Sequence, residues 1–204
     1  MGFETSGEPR LETLSEVSHE VATIPKTKLC MLLFLASEAV FFLMLILAYV
    51  YFRGFVSSGP TAASSLDPKV TGIYTIFLLS SSGTVFLAGR SLKQRNRARF
   101  LSWLAVTVLF GAIFLVGQGR EYAKLLANNV TINRNLFGTT FFTLTGLHGF
   151  HVFIGLLLMI TLFGVIKAGG EKQMIALESV SLYWHFVDVV WIVIFSIIYL
   201  WSAS

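Results

Sequence analysis

The chain has 204 residues, 55% hydrophobic and only 13% charged, with a formal net charge of +4. An average soluble domain carries about 25% charged residues, so this balance excludes an ordinary soluble globular domain and places the chain in a membrane. The basic excess does not call for nucleic acid, because the Lys and Arg residues sit beside apolar spans, where they set topology; the single cysteine, Cys30, excludes an intrachain disulfide and has no CxxC partner for a metal.

Residues 1–28 read as an N-terminal arm. It lacks a basic segment followed by an apolar core, so it is not a cleavable signal, and it is too rich in Glu for a transit peptide. Glu4, Glu8, Glu12, Glu16 and Glu20 recur every four residues, while Leu11, Leu14, Val17 and Val21 fall at roughly helical spacing on another face. Pro9 suits the start of such a helix. Two readings stand: a short surface helix or partly ordered tail, and a docking arm for a neighbouring subunit.

Residues 29–204 read as a membrane domain. A bilayer-crossing helix needs about 20 apolar residues, and five segments meet this: about 29–52, 70–88, 100–117, 136–166 and 181–201. The third is short, with Gln118 to Ala127 available to extend it; the fourth is long enough to tilt. The fold class is an all-α integral membrane protein with five transmembrane helices. Arg10, Lys26, Lys28, Arg90, Lys93, Arg95, Arg97, Arg99, Lys167 and Lys172 fall on one side of these spans. Arg53, Lys69, Arg120, Lys124 and Arg134 fall on the other. Positive residues stay inside, so the N-terminus is cytoplasmic and the C-terminus periplasmic.

Several polar residues lie where the membrane makes them costly. An ionisable side chain at the centre of a spanning helix costs roughly 2.5–3.5 kcal/mol by insertion scales and so faces protein or water. Glu38 sits about 14 Å along the first span at 1.5 Å per residue. It reads as a proton relay, as a partner for a buried histidine or lipid headgroup, or as a protonated acid bonded to a neighbouring helix. His148 and His151 are three apart on the fourth span. On the fifth, His185 and Asp188 are likewise three apart, with Glu178 two turns earlier on nearly the same face. His148, His151 and His185 together raise a metal or haem site. The competing reading is one polar cluster in which Glu38, His148, His151, Glu178, His185 and Asp188 satisfy one another.

Packing signals accompany these. Thr145 and Gly149 form a small-xxx-small pair, as do Ser80, Thr84 and Ala88 on the second span. Trp184, Trp191 and Trp201 are candidate interface anchors, with ordinary packing the better reading for Trp191. No Walker or GxGxxG loop follows a strand, and no nucleophile elbow is present, so nucleotide and hydrolase chemistry lack support.

Four blocks carry a resemblance. They are LASEAVFF (residues 35–42), QGREY (118–122), FGTTFFTLTGLHGFHVFIG (137–155) and ESVSLYWHFVDVVWIVIFSIIYLW (178–201). In this order they resemble subunit III of the haem–copper respiratory oxidases, in a short five-helix bacterial form lacking the first two helices of the seven-helix form. The resemblance implies a non-catalytic subunit in the bacterial inner (plasma) membrane. Its partners would be the catalytic subunit I, alongside subunit II and any further subunits, together with membrane lipids and no nucleic acid. Haem and copper would lie in the catalytic partner, none in this chain, and structural phospholipid would be bound. The subunit would stabilise the catalytic subunit and sustain its proton uptake, and Glu38 would be a lipid-accessible carboxyl. The alternatives are a subunit III-like accessory protein of a nitric oxide reductase and a stand-alone membrane haem or metal protein.

Overall fold

The computed structural model describes residues 26–53, 66–130, 136–165 and 171–201. The Glu-repeat arm lies outside the described residues. Five long helices carry the fold: α1 (Lys26–Arg53), α2 (Pro68–Lys93), α3 (Arg97–Ala127), α4 (Leu136–Val165) and α5 (Glu171–Phe195). A π-helical turn, Ser196–Leu200, continues α5. All five are long and apolar enough to cross a membrane, so the expected all-α membrane fold is observed.

The helix ends follow local chemistry. Pro68 opens α2, and Asp67 caps it, its Oδ1 accepting from the Lys69 and Val70 amides at 3.1 and 3.3 Å. At the other end the Asn96 amide bonds the Ser91 carbonyl at 3.0 Å and the Arg95 amide bonds that of Leu92 at 2.9 Å. This is a Schellman closure around Arg95, whose φ is +56°. Asn96 then caps α3 through Arg99 N, so one residue closes α2 and opens α3. α3 ends the same way at Asn129, φ +60°, with Leu125 and Val130 buried together as that motif requires. A non-glycine residue in the left-handed region costs about 1 kcal/mol. Arg95→Gly is therefore expected to raise stability by about that amount, read as a higher unfolding midpoint in detergent.

Two helices run further than their apolar segments. α3 continues ten residues beyond Gly117, and α5 begins at Glu171, because Glu, Lys, Gln, Met, Ala and Leu there are good helix formers. Glu178 thus lies inside a helix.

α2 and α3 form an antiparallel hairpin, and α5 packs between α2, α4 and α1. Trp184 fills the centre, fully buried. Its indole leaves no room for side chains at Gly111 and Gly155. A Cβ at Gly111 would stand 2.9 Å from Trp184 Cη2, and one at Gly155 2.7 Å from Trp184 Cε3. The Tyr74 ring lies on Gly117 in the same manner. Trp184 and Trp191 are thus core residues, which corrects the interface-anchor reading of Trp184 and keeps the packing reading of Trp191. Trp201 is half exposed at the end of the bundle, where Arg53 lies 4.5 Å over its ring.

α1 is the peripheral helix. It docks on α4 and α5 through Leu35, Phe42 and Tyr49, seven apart and buried, while Leu33, Met44 and Tyr51 point outward. A seven-residue repeat is the seam of a left-handed helix pair. Leu45, Ile46 and Val50 flank the seam partly buried, and the opposite face of α1 is open to lipid or to another subunit.

Candidate functional site

The polar side chains within the spans join helices rather than converge on a point. The main feature is a ladder between α2 and α5. Small hydroxyls on α2 meet large polar side chains on α5, in antiparallel order. Thr75 accepts from Trp191 Nε1 at 3.0 Å, and Ser81 accepts from Trp184 Nε1 at 2.8 Å. Ser82 takes both polar residues of the YWHFVD run: its hydroxyl donates to Asp188 Oδ2 and lies 2.8 Å from His185 Nδ1. At the far end Thr71 bonds Glu121 Oε1 at 3.0 Å, and Tyr199 donates to Glu121 Oε2 at 2.6 Å. The π turn contributes here. The Trp201 amide reaches back five residues to the Ser196 carbonyl, and this rephasing accompanies an inward Tyr199.

Glu38 makes a separate pair on the seam of α1. Its Oε2 lies 3.1 Å from His151 Nε2, with the side chains 21% and 13% exposed. His151 Nδ1 lies 2.8 Å from the Leu147 carbonyl, and a carbonyl only accepts, so Nδ1 carries a proton. Nε2 is then the nitrogen that meets Glu38, either accepting from its acid form or donating to its carboxylate. Tyr183 reaches the His151 carbonyl at 3.0 Å and ties α5 to the same point. Glu38→Gln preserves a donor toward Nε2. It is expected to keep the unfolding midpoint within about 0.5 kcal/mol of wild type, whereas Glu38→Leu leaves Nε2 bare and costs about 1–3 kcal/mol. Equal losses in the two variants, measured by detergent denaturation, would refute this account of the pair.

His148 belongs to neither group. It is fully buried, stacked on Trp191 at 4.8 Å with the edge of Phe114 beside it. Neither ring nitrogen has a hydrogen-bond partner among the described residues. The three imidazoles are thus parted: His151 to Glu38, His185 to Ser82, His148 to Trp191. Of the residues singled out in the sequence, Glu38 meets His151 and Ser82 joins His185 to Asp188, while His148 and Glu178 stand apart from both groups. Among the described residues no three His, Cys, Asp or Glu side chains could hold a metal together. Glu178 is exposed and meets a cavity instead.

That cavity, about 470 Å³, lies between α1, α2 and α5 at the end of the bundle that carries the basic turn. Lys28, Arg90 and Lys93 bring positive charge to it, Glu178 a negative one, and His185 lines it from further along α5. Val85 and Leu182 are among its apolar walls.

α3 is fastened to α4 by Gln118 and Tyr122. Gln118 Nε2 donates to the Thr145 carbonyl at 2.7 Å, and the Tyr122 hydroxyl lies 2.7 Å from Thr145 Oγ1. Gly149 gives Gln118 its room, since a Cβ there would come 3.0 Å from Oε1. The small pair Thr145 and Gly149 therefore does mark a helix contact. On α2 the contact is made by Ser81, Thr84 and Ala88, all buried, while Ser80 is exposed. The hydroxyls of Thr71, Thr75 and Ser82 are the partners that sequence reasoning missed. Nothing in an apolar run singles out one Ser or Thr until the phase of the facing helix is known.

Comparison with known proteins adds the family. The family described as Cytochrome c oxidase subunit III matches residues 11–203. "Cytochrome c oxidase subunit 3" of Synechocystis sp. is 36% identical over 172 residues, covering 82% of this chain and 72% of that protein. "Cytochrome bo(3) ubiquinol oxidase subunit 3" of Pseudomonas aeruginosa is 34% identical over 173 residues, covering 84% and 83%. "Cytochrome c oxidase subunit 3" of Thermostichus vulcanus is 33% identical over 173 residues, covering 83% and 85%. With five spanning helices, polar residues matched to neighbouring helices and this similarity along most of its length, the chain is a multi-pass membrane protein of the cytochrome c oxidase subunit III family.

Proposed function

We propose that this chain is the non-catalytic subunit III of a haem–copper terminal oxidase in a bacterial plasma membrane. Subunit I, alongside subunit II, would hold the haems and copper and carry out the chemistry. The work of this chain is positional: it braces subunit I, shields its proton entrance and holds structural phospholipid. The observation that supports this reading best is the α2–α5 ladder, in which groups that a reaction centre would offer to a ligand are bonded to the next helix. Such bonds between spanning helices contribute about 0.6 kcal/mol on average, so several together favour a rigid brace. The basic end, with Lys28, Arg90, Lys93, Arg95, Arg97 and Arg99, faces the cytoplasm by the positive-inside rule. A phospholipid suits the cavity there, its phosphate near Lys28, Arg90 and Lys93 and an acyl chain against the apolar walls. Glu38 and His151 order the seam through which α1 is held, at the surface that a further subunit or lipid covers.

The test is purification in mild detergent on a tag placed on this chain, with a reduced-minus-oxidised spectrum and mass spectrometry of the proteins that follow it. Haem bands that accompany a large partner and vanish when this chain is isolated are expected. Haem or metal retained by the isolated chain would overturn the reading.

A further inference from the structure

Asp188 is buried and, among the described residues, has one hydrogen-bond partner, the Ser82 hydroxyl; its Oδ1 is enclosed without any among them. A serine hydroxyl owns a single proton. With that proton on the bond to Asp188, the contact with His185 closes only if His185 Nδ1 donates to Ser82 Oγ. Nδ1 is then committed, which leaves Nε2 as the ring nitrogen available to the cavity that His185 lines. The three side chains make an unbranched chain of hydrogen bonds from an enclosed carboxylate to an open space, and Ser82 is its middle link.

We propose that Asp188, Ser82 and His185 form a proton-exchange site, in which Asp188 exchanges its proton with the cavity through the hydroxyl and the imidazole. A proton arriving at Nε2 gives an imidazolium beside a carboxylate. The Nδ1 proton passes to Ser82 Oγ as the hydroxyl proton passes to Asp188 Oδ2. The products are a neutral imidazole, protonated at Nε2, and a carboxylic acid. One proton enters, no other bond changes, and the reverse steps release it. The chain ends at Asp188, so the site stores a proton rather than conducting one across the membrane. The charged and titratable groups sharing the cavity are Lys28 from α1, Arg90 and Lys93 from α2, and Glu178 from α5. None of its lining residues comes from α3 or α4. The Glu38–His151 pair belongs to the α1–α4 seam. The site does not depend on what fills the cavity, since water or a phosphate oxygen can bring a proton to Nε2 equally well.

The test is infrared spectroscopy of the intact membrane complex. The carboxylic C=O stretch of Asp188 is identified by its loss in Asp188→Asn, then followed through pH steps and on transfer from H₂O to D₂O. The band is expected to change with pH and to shift promptly in D₂O. Ser82→Ala keeps both end groups but cuts the link, and should slow the deuterium shift on the order of a hundredfold, the scale of losing a positioned proton-transfer group. Ser82→Thr restores the hydroxyl and should restore the rate. Exchange in Ser82→Ala as fast as in wild type, or no acid band from Asp188 at any pH, would overturn the proposal. Should Ser82→Ala fail to assemble, His185→Phe leaves the Asp188–Ser82 bond in place and decides alone: slowed exchange supports the site and unchanged exchange sinks it.

Discussion

Replacing Trp184 by Ala should lower the stability of the bundle by about 3–5 kcal/mol, the cost of emptying a large aromatic site that cannot collapse. The indole is fully buried, holds α3 and α4 apart at Gly111 and Gly155, and donates to Ser81. Removal leaves a void where three helices meet and a hydroxyl without its donor. Detergent unfolding of the purified complex would register the loss as a lower midpoint. Because the two glycines face the same ring, the effects should not add. Gly155→Leu alone drives a side chain into Trp184 and destabilises; combined with Trp184→Ala it fills part of the void. The double variant should therefore be more stable than the sum of the singles. Strict additivity would mean that Trp184 and Gly155 are not in contact.

The second large effect is expected at Glu121. Glu121→Leu should cost about 1–3 kcal/mol, because it takes the carboxylate acceptor from the buried Tyr199 hydroxyl, while the Thr71 hydroxyl keeps the Asp67 carbonyl as acceptor. Adding Tyr199→Phe removes the stranded hydroxyl, so the double variant should recover part of the loss. Glu121→Gln keeps an acceptor for Tyr199 and should lie close to wild type. Proteolysis of the α5 end, followed by mass spectrometry, distinguishes local release of the π turn from general unfolding. If Glu121→Leu is as resistant as wild type, Tyr199 has another partner.

The helices were legible because a spanning segment must be apolar whatever its neighbours are. The extension of the third span was legible as well: Gln118 to Ala127 are available to lengthen it, and the helix does continue to Ala127. Gln118 and Tyr122 face α4 while Glu121 faces α5, an assignment that depends on the rotation of α3 about its axis. The costly residues stood out in the sequence, but their partners did not. Residues such as Glu38, His151, His185 and Asp188 are rare in apolar runs and stand out for that reason. Ser82 is one of three consecutive serines, and only the packing of α5 selects it for His185 and Asp188, Ser81 for Trp184 and neither for Ser80. Chemical type marks which groups need a partner; helix phase decides which partner they get. That is why Glu38 meets His151 while Ser82 takes both His185 and Asp188.

The seam of α1 has a consequence for how the protein is made. α1 leaves the ribosome before every helix it packs against, for its contacts are with α4 and α5. Glu38 and His151 are 113 residues apart in sequence. At usual elongation rates the interval between them is roughly 5–25 s. For that time the first span sits in the bilayer with its carboxyl unmatched, while α2 and α3 close into a hairpin on their own short turn. The nascent chain thus passes through a stage in which the insertion machinery or a lipid must shelter Glu38, and the arrival of α4 ends it.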